Sequence, residues 1–194
     1  MYLSTLRLWN FRKYCAMADG KPGLEIHFQE SVNVLIGEND SGKTAIVDAI
    51  RYVLRTQSGE FIQFEDKDFY QEPDGNRKDE FKIECVFDGI NEQDAGLFWE
   101  WLSWNDDKTK YLLKVWLYAK RKDNIIMPTF SAGIEGQAER MDSEARELLK
   151  VVYFKPLRDA LTDMTHGYKS RLAQILGAHE LFKTEKDVHG NIIK

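Results

Sequence analysis

No run of 18 apolar residues occurs anywhere in the 194-residue sequence, so no stretch is long and apolar enough to cross a bilayer as a helix. A charged-then-apolar leader is also missing at the N-terminus. Together these absences lead us to expect a soluble, cytoplasmic chain with no membrane partner. There are only two cysteines, Cys15 and Cys85, in apolar or aromatic surroundings and with no adjacent His or Lys. That excludes a disulfide framework and leaves thiol nucleophilicity without an activating group, so reduced core thiols are expected. The four histidines, His27, His166, His179 and His189, are scattered without a Cys or His partner at ligand spacing, which argues against a zinc-type site. A net charge of −5 argues against the whole surface being a DNA platform, although a local basic patch is compatible with it. Internal repeats and low-complexity segments are lacking too.

What is present is enough apolar residue, 43% of the chain, to bury one good core or two small lobes. The most informative stretch runs from Val32 to Thr56. Val32, Val34, Leu35 and Ile36 form a short apolar run, as expected of a strand buried on both faces. Ile46, Ile50, Val53 and Leu54 then recur at helical spacing. Between them, Gly37-Glu38-Asn39-Asp40-Ser41-Gly42-Lys43-Thr44 matches the phosphate-binding loop G-x-x-x-x-G-K-[ST]. Gly37 and Gly42 permit backbone angles that a Cβ would forbid. Main-chain N–H groups over Asn39, Asp40, Ser41 and on to Ala45 can then close around phosphate, aided by the positive end of the following helix. Lys43 is expected to reach the β- and γ-phosphates of ATP, and the Thr44 hydroxyl to hold Mg²⁺.

Along the chain, Tyr2 to Trp9 and Leu24 to Phe28 alternate as strands able to pair antiparallel. After the helix, which should fade near Gln57-Ser58-Gly59, Phe61, Phe64, Phe69 and Tyr70 read as anchors in a loop. Phe81 to Phe87 is a half-buried strand, and Asn91 caps a helix that turns Leu97, Phe98, Trp101 and Leu102 toward the core. Tyr111 to Tyr118 and Ile125 to Phe130 read as a hairpin, suggesting a β-rich subdomain beside the phosphate loop. Asp142 caps a short helix, Val151 to Phe154 reads as another buried strand, and a last helix is expected from about Tyr168 to Leu176.

Leu6-Arg7-Leu8-Trp9-Asn10-Phe11-Arg12, followed about 25 residues later by the phosphate loop, resembles the N-terminal lobe of ABC-type ATPases of the SMC and RecF kind. With Asp68-Phe69, the stretch Tyr153 to Ala160 and Ser170-Arg171-Leu172, it is most similar to the OLD (overcoming lysogenisation defect) family of ATP-dependent endonucleases. The resemblance implies an α/β P-loop NTPase fold with a mixed sheet over residues 1–180, followed by a polar tail over 181–194. It also implies that Arg12 and Lys13 approach the nucleotide, that a second ATPase head is the partner in a homodimer or higher oligomer, and that DNA is the substrate of the full protein. At the position of the class's Q-loop glutamine stand Lys155-Pro156-Leu157-Arg158, with Arg158 or Asp159 as a substitute or merely a surface ion pair.

Several parts of the class are missing. No apolar run ends in Asp-Glu, no Ser-Gly-Gly signature occurs, and the Toprim carboxylates on which this family's nuclease depends are not found. No catalytic residue is therefore assigned, and we expect the N-terminal lobe of a larger protein or a truncated product. Trp99, Trp101 and Trp104 allow either a stacking platform for single strands or core packing, and packing is favoured because no basic residue is interleaved. Lys108 to Lys122 holds six Lys or Arg, read as the solvated face of a sheet with phosphate-backbone contact as the alternative.

Overall fold

The computed structural model describes residues 1–154 apart from 60, 106, 124 and 136–138. The expected Q-loop substitute, the helix over 168–176, and His166, His179 and His189 lie outside the described residues. Contacts divide the chain after Val152, and the description below concerns Met1–Val152.

The strands are β1 (Tyr2–Trp9), β2 (Leu24–His27), β3 (Glu80–Asp88), β4 (Leu102–Trp104), β5 (Tyr111–Lys122) and β6 (Ile125–Ala132). The helices are α1 (Lys43–Leu54), α2 (Glu92–Phe98) and α3 (Ser143–Leu148). All six strands join one sheet in the order β2-β1-β3-β5-β4, with β6 pairing β5 further along the same edge. Every strand pair is antiparallel, as expected for β1 with β2, and the strands expected as a separate subdomain share this sheet with them.

Register explains the two faces. Leu6 lies opposite Cys85 and Leu8 opposite Ile83, while Ile83 and Cys85 face Leu117 and Val115 across β5. With a side-chain period of two, these residues fall in one row and are all buried. Ala45, Ala49 and Val53 of α1 join the same apolar cluster. The opposite face is polar and aromatic. Arg7 pairs with the buried Glu84 at 2.7 Å, and the Lys82 ammonium lies 4.0 Å from the Trp9 ring centre and 5.3 Å from that of Trp116.

The stretch between α1 and β3 has little regular structure but is firmly anchored. Phe81 packs edge-on against Phe11 at 5.1 Å and Phe69 at 5.0 Å, and Phe64 packs against Tyr52 at 5.2 Å. Phe61 departs from expectation, being almost fully exposed. An ion network reinforces the rings. Arg12 donates from Nε to Asp68 at 3.0 Å and from Nη1 to Asp48 at 2.7 Å, and its backbone N–H reaches the Asp68 carbonyl at 2.9 Å. Asp68 is 0% exposed, and its second oxygen also accepts from the Glu65 N–H at 3.0 Å. Burial alone lowers the Arg12 pKa, but the hydrogen bonds and charges of Asp48 and Asp68 more than offset it, so the pKa stands raised.

Two expected buried strands are corrected. Val32 to Ile36 forms no strand, and Val32 and Ile36 are 87% and 90% exposed. An apolar run buried on both faces needs neighbouring strands, and none of the described strands pairs with it. Val151 to Phe154 likewise reduces to one parallel bridge between Val151 and Thr56, with Val152 and Phe154 exposed. The caps are as expected: Asn91 accepts from the Asp94 N–H at 2.7 Å and Asp142 from the Ala145 N–H at 2.7 Å. Phe98 and Trp101 are buried, but Leu97 points to solvent.

Replacing Asp68 with Ala removes the buried partner of a half-buried guanidinium and is expected to cost about 3–5 kcal/mol in urea unfolding. A loss below about 1 kcal/mol, the range of an exposed pair, would show the network to be peripheral. Burial, and then the charge of Glu84, push the Cys85 thiol well above its ordinary range. Iodoacetamide should therefore label the half-buried Cys15 in the native protein and leave Cys85 unmodified until unfolding, as peptide mass mapping would show.

Candidate nucleotide-binding site

The segment from Gly37 to Gly42 turns tightly before α1. The Ser41 N–H donates to the Glu38 carbonyl at 3.3 Å, and Asp40 and Gly42 take left-handed angles, with φ of 60° and 104°. A Cβ at Gly42 would be strained by that angle and would also lie 2.2 Å from the Tyr14 hydroxyl oxygen. At Gly37 a Cβ would press on Ser41 Oγ at 2.9 Å.

Helix α1 opens without a side-chain cap and without an acidic residue in its first turn. Its first main-chain hydrogen bond runs from the Ile46 N–H to the Gly42 carbonyl at 3.2 Å. The N–H groups of Lys43, Thr44 and Ala45 therefore belong to the set that a helix leaves for an outside acceptor. Ala45 is buried, so its contribution is its amide alone, whereas Asn39, Asp40 and the Thr44 side chain face solvent. No carboxylate competes at the helix start, and an anion is the acceptor that this end favours.

The Lys43 ammonium donates to the carbonyls of Gly37 at 2.7 Å and Glu38 at 2.6 Å and to Ser41 Oγ at 3.2 Å. Its three donors are thus satisfied by the loop itself, and a phosphate would exchange them for charge-assisted bonds. The loop is held from the side by the residues after β1. Lys13 Nζ donates to the Asp40 carbonyl at 3.1 Å, and the Tyr14 hydroxyl to the Gly42 carbonyl at 3.4 Å. Burial raises the Tyr14 pKa, so the hydroxyl remains a donor at neutral pH.

Next to Lys13 lies an open pocket of about 660 Å³, lined by Arg12, Lys13, Asp48, Lys67, Tyr70 and Arg77 among others. The structure therefore brings Lys13 onto the loop, while Arg12 borders the pocket with its guanidinium committed to Asp48, Asp68 and, at 3.3 Å, the Tyr52 hydroxyl. Sequence reasoning missed Tyr14, Asp48 and Arg77. Only the spacing of Asp48, one helical turn after Thr44, offered a signal in the sequence. Among the described residues no cluster of His, Cys, Asp and Glu could hold a metal ion by itself. The donors present, which are amides, the ammonium groups of Lys43 and Lys13 and the hydroxyls of Ser41 and Thr44, suit a polyphosphate carrying its own Mg²⁺.

Residues 1–189 match the family model described as AAA ATPase domain. Over 58 residues the chain is 45% identical to the DNA replication and repair protein RecF of Pediococcus pentosaceus, a match covering 30% of this chain and 14% of that protein. The RecF of Francisella tularensis subsp. novicida is 38% identical over 58 residues, covering 30% of this chain and 15% of its own length. The matched stretch thus spans about one seventh of these curated relatives. Among solved structures, one reported under ATP-driven dimerization and DNA-stimulated activation of SMC ATPases aligns with 93% of this chain and 94% of itself, at 15% identity and a TM-score of 0.49. An Smc head bound to the C-winged helix domain of ScpA aligns with 77% of this chain and 38% of itself, at 18% identity and a TM-score of 0.47. The chain belongs to the AAA ATPase domain family and has an α/β fold built around the phosphate loop.

Proposed function

We propose that this chain is the ATP·Mg²⁺-binding lobe of an ATPase that acts on DNA in its full-length form. The observation that carries this reading is the Gly37–Thr44 loop leading into an uncapped helix start, with Lys43 folded over it. Lys43 and the loop amides hold the β- and γ-phosphates, Thr44 ligates Mg²⁺, and Lys13 and Arg12 border the nucleotide from the segment after β1. Chemistry at the γ-phosphate would need a carboxylate to support the metal and another to orient water, and the sequence has no apolar strand ending in Asp-Glu. Val32 to Ile36 supports a composite site: it is apolar, exposed and without a strand partner among the described residues. Parallel strands bearing the missing carboxylates would pair there.

In the whole protein, two such heads closing on nucleotide would complete each other's sites. The finer reading, from the resemblance in the phosphate loop and around Asp68-Phe69, is an OLD-type enzyme in which ATP gates DNA cleavage by a Toprim domain. The similarity to RecF over 58 residues favours a second reading, a DNA-repair ATPase without nuclease activity. Toprim carboxylates in the full reading frame distinguish the first from the second. Both place the protein in the cytoplasm, and no helix of the described residues is long and apolar enough to cross a membrane.

Calorimetric titration of the isolated chain should show ATP·Mg²⁺ binding, while phosphate release stays near background. Brisk turnover would refute the composite site. Lys43→Ala should weaken binding roughly 10- to 100-fold, the worth of one charge-assisted contact. Unchanged affinity would place the nucleotide elsewhere.

A further inference from the structure

A second cationic site lies at the other end of α1, about 18 Å from the phosphate loop by the rise of its 12 residues. Backbone pairing brings two distant segments together there. The Val151 N–H donates to the Arg55 carbonyl at 3.1 Å and the Gln57 N–H to the Val151 carbonyl at 3.1 Å. The bridge between Ala132 and Glu139 sets Arg140 beside them. The result is a pocket of about 480 Å³ whose walls include Arg55, Arg140, Arg146 and Lys150.

The charges do not balance. Of the carboxylates at the pocket, Glu147 is paired with Lys150 at 2.6 Å, and Asp142 caps α3 through the Ala145 N–H. Among the described residues, Arg55, Arg140 and Arg146 have no ion-pair partner. Arg146 stacks on Phe130 with its guanidinium carbon 4.0 Å from the ring centre, and Arg55 approaches the same ring at 5.5 Å. Arg146 Nη2 is buried and has no hydrogen-bond acceptor. A buried donor on a charged group without an acceptor is unfavourable unless something fills the place. The carbonyl end of α1 accounts for one cation at Arg55, but not for Arg140 and Arg146 on a different segment. Burial, and after it the like charges of Arg55 and Arg140, bring the Arg146 pKa down to about 10, a mutual repulsion that an anion would relieve.

We propose that the pocket walled by Arg55, Arg140 and Arg146 is a second phosphate-binding site, independent of the phosphate loop. A phosphate offers several acceptor oxygens to diverging guanidinium groups, and its charge offsets more than one of them. The phosphate can belong to a free polyphosphate or to the backbone of a nucleic acid, and the two are separable by experiment.

The test uses the whole chain carrying Lys43→Ala, so that the phosphate loop is weakened and the arginine variants report on the second site, with two probes: pyrophosphate followed by calorimetry, and a labelled DNA duplex followed by fluorescence anisotropy. Saturable binding of pyrophosphate alone assigns the site to free phosphates, and binding of the duplex assigns it to a phosphodiester backbone. In either case Arg140→Glu should weaken binding about tenfold or more, and for the duplex each lost cation should lower the salt slope by about 1. Arg140 is exposed and unpaired among the described residues, so this variant should melt like its parent, while Arg146→Gln tests the buried donor. If neither probe binds saturably, or if both variants bind like the parent, the site is refuted. Failure here would leave ATP binding at Lys43 untouched.

Discussion

The Arg12 guanidinium joins three segments that the chain keeps far apart: the turn after β1, the middle of α1 through Asp48, and the 66–68 turn through Asp68. Two contacts of the candidate site follow from that junction. With Arg12 fixed, the next two residues lie against the phosphate loop, Lys13 on the Asp40 carbonyl and Tyr14 on that of Gly42. A buried ion pair is a poor source of net stability, because desolvation consumes much of its attraction, but it defines geometry sharply, since any other arrangement strands a charge. The aromatic cluster of Phe11, Phe64, Phe69 and Phe81 supplies the apolar stability around it.

The phosphate loop is closed upon its own lysine. Lys43 donates to the carbonyls of Gly37 and Glu38 and so ties the two ends of the loop together. The loop therefore keeps its curvature before any anion arrives, and binding exchanges one set of hydrogen bonds for another instead of ordering a slack segment. At the far end of the same helix, the arginines around Phe130 have no comparable partner among the described residues, which is why the two ends of α1 differ in character despite both being rich in cations.

Local patterns were legible in the sequence where the residues determine the answer by themselves. The turn at the loop glycines, the caps at Asn91 and Asp142, and the alternation in β1 and β3 all depend on neighbours a few residues away, and the structure follows them. What could not be read depends on distant partners. Val32 to Ile36 has every intrinsic mark of a strand, yet strand formation requires a partner strand, and among the described residues none pairs with it. Asp68 stands out in the sequence only through the resemblance around Asp68-Phe69, and only the fold reveals it as fully buried beneath Arg12. Tyr14 gave no signal either, because its role comes from lying over Gly42, 28 positions away.

The exposed run from Val32 to Ile36 also bears on how the chain behaves in concentrated solution. Short apolar, β-branched stretches with free backbone groups template pairing with copies of themselves and are a common origin of aggregation. Here the run is bracketed by Glu30 on one side and Glu38 and Asp40 on the other, charges that would be stacked against their own kind in any self-paired ladder. The flanking acids thus act as guards on a segment that the described residues leave exposed, and replacing them with Gln and Asn should lower solubility.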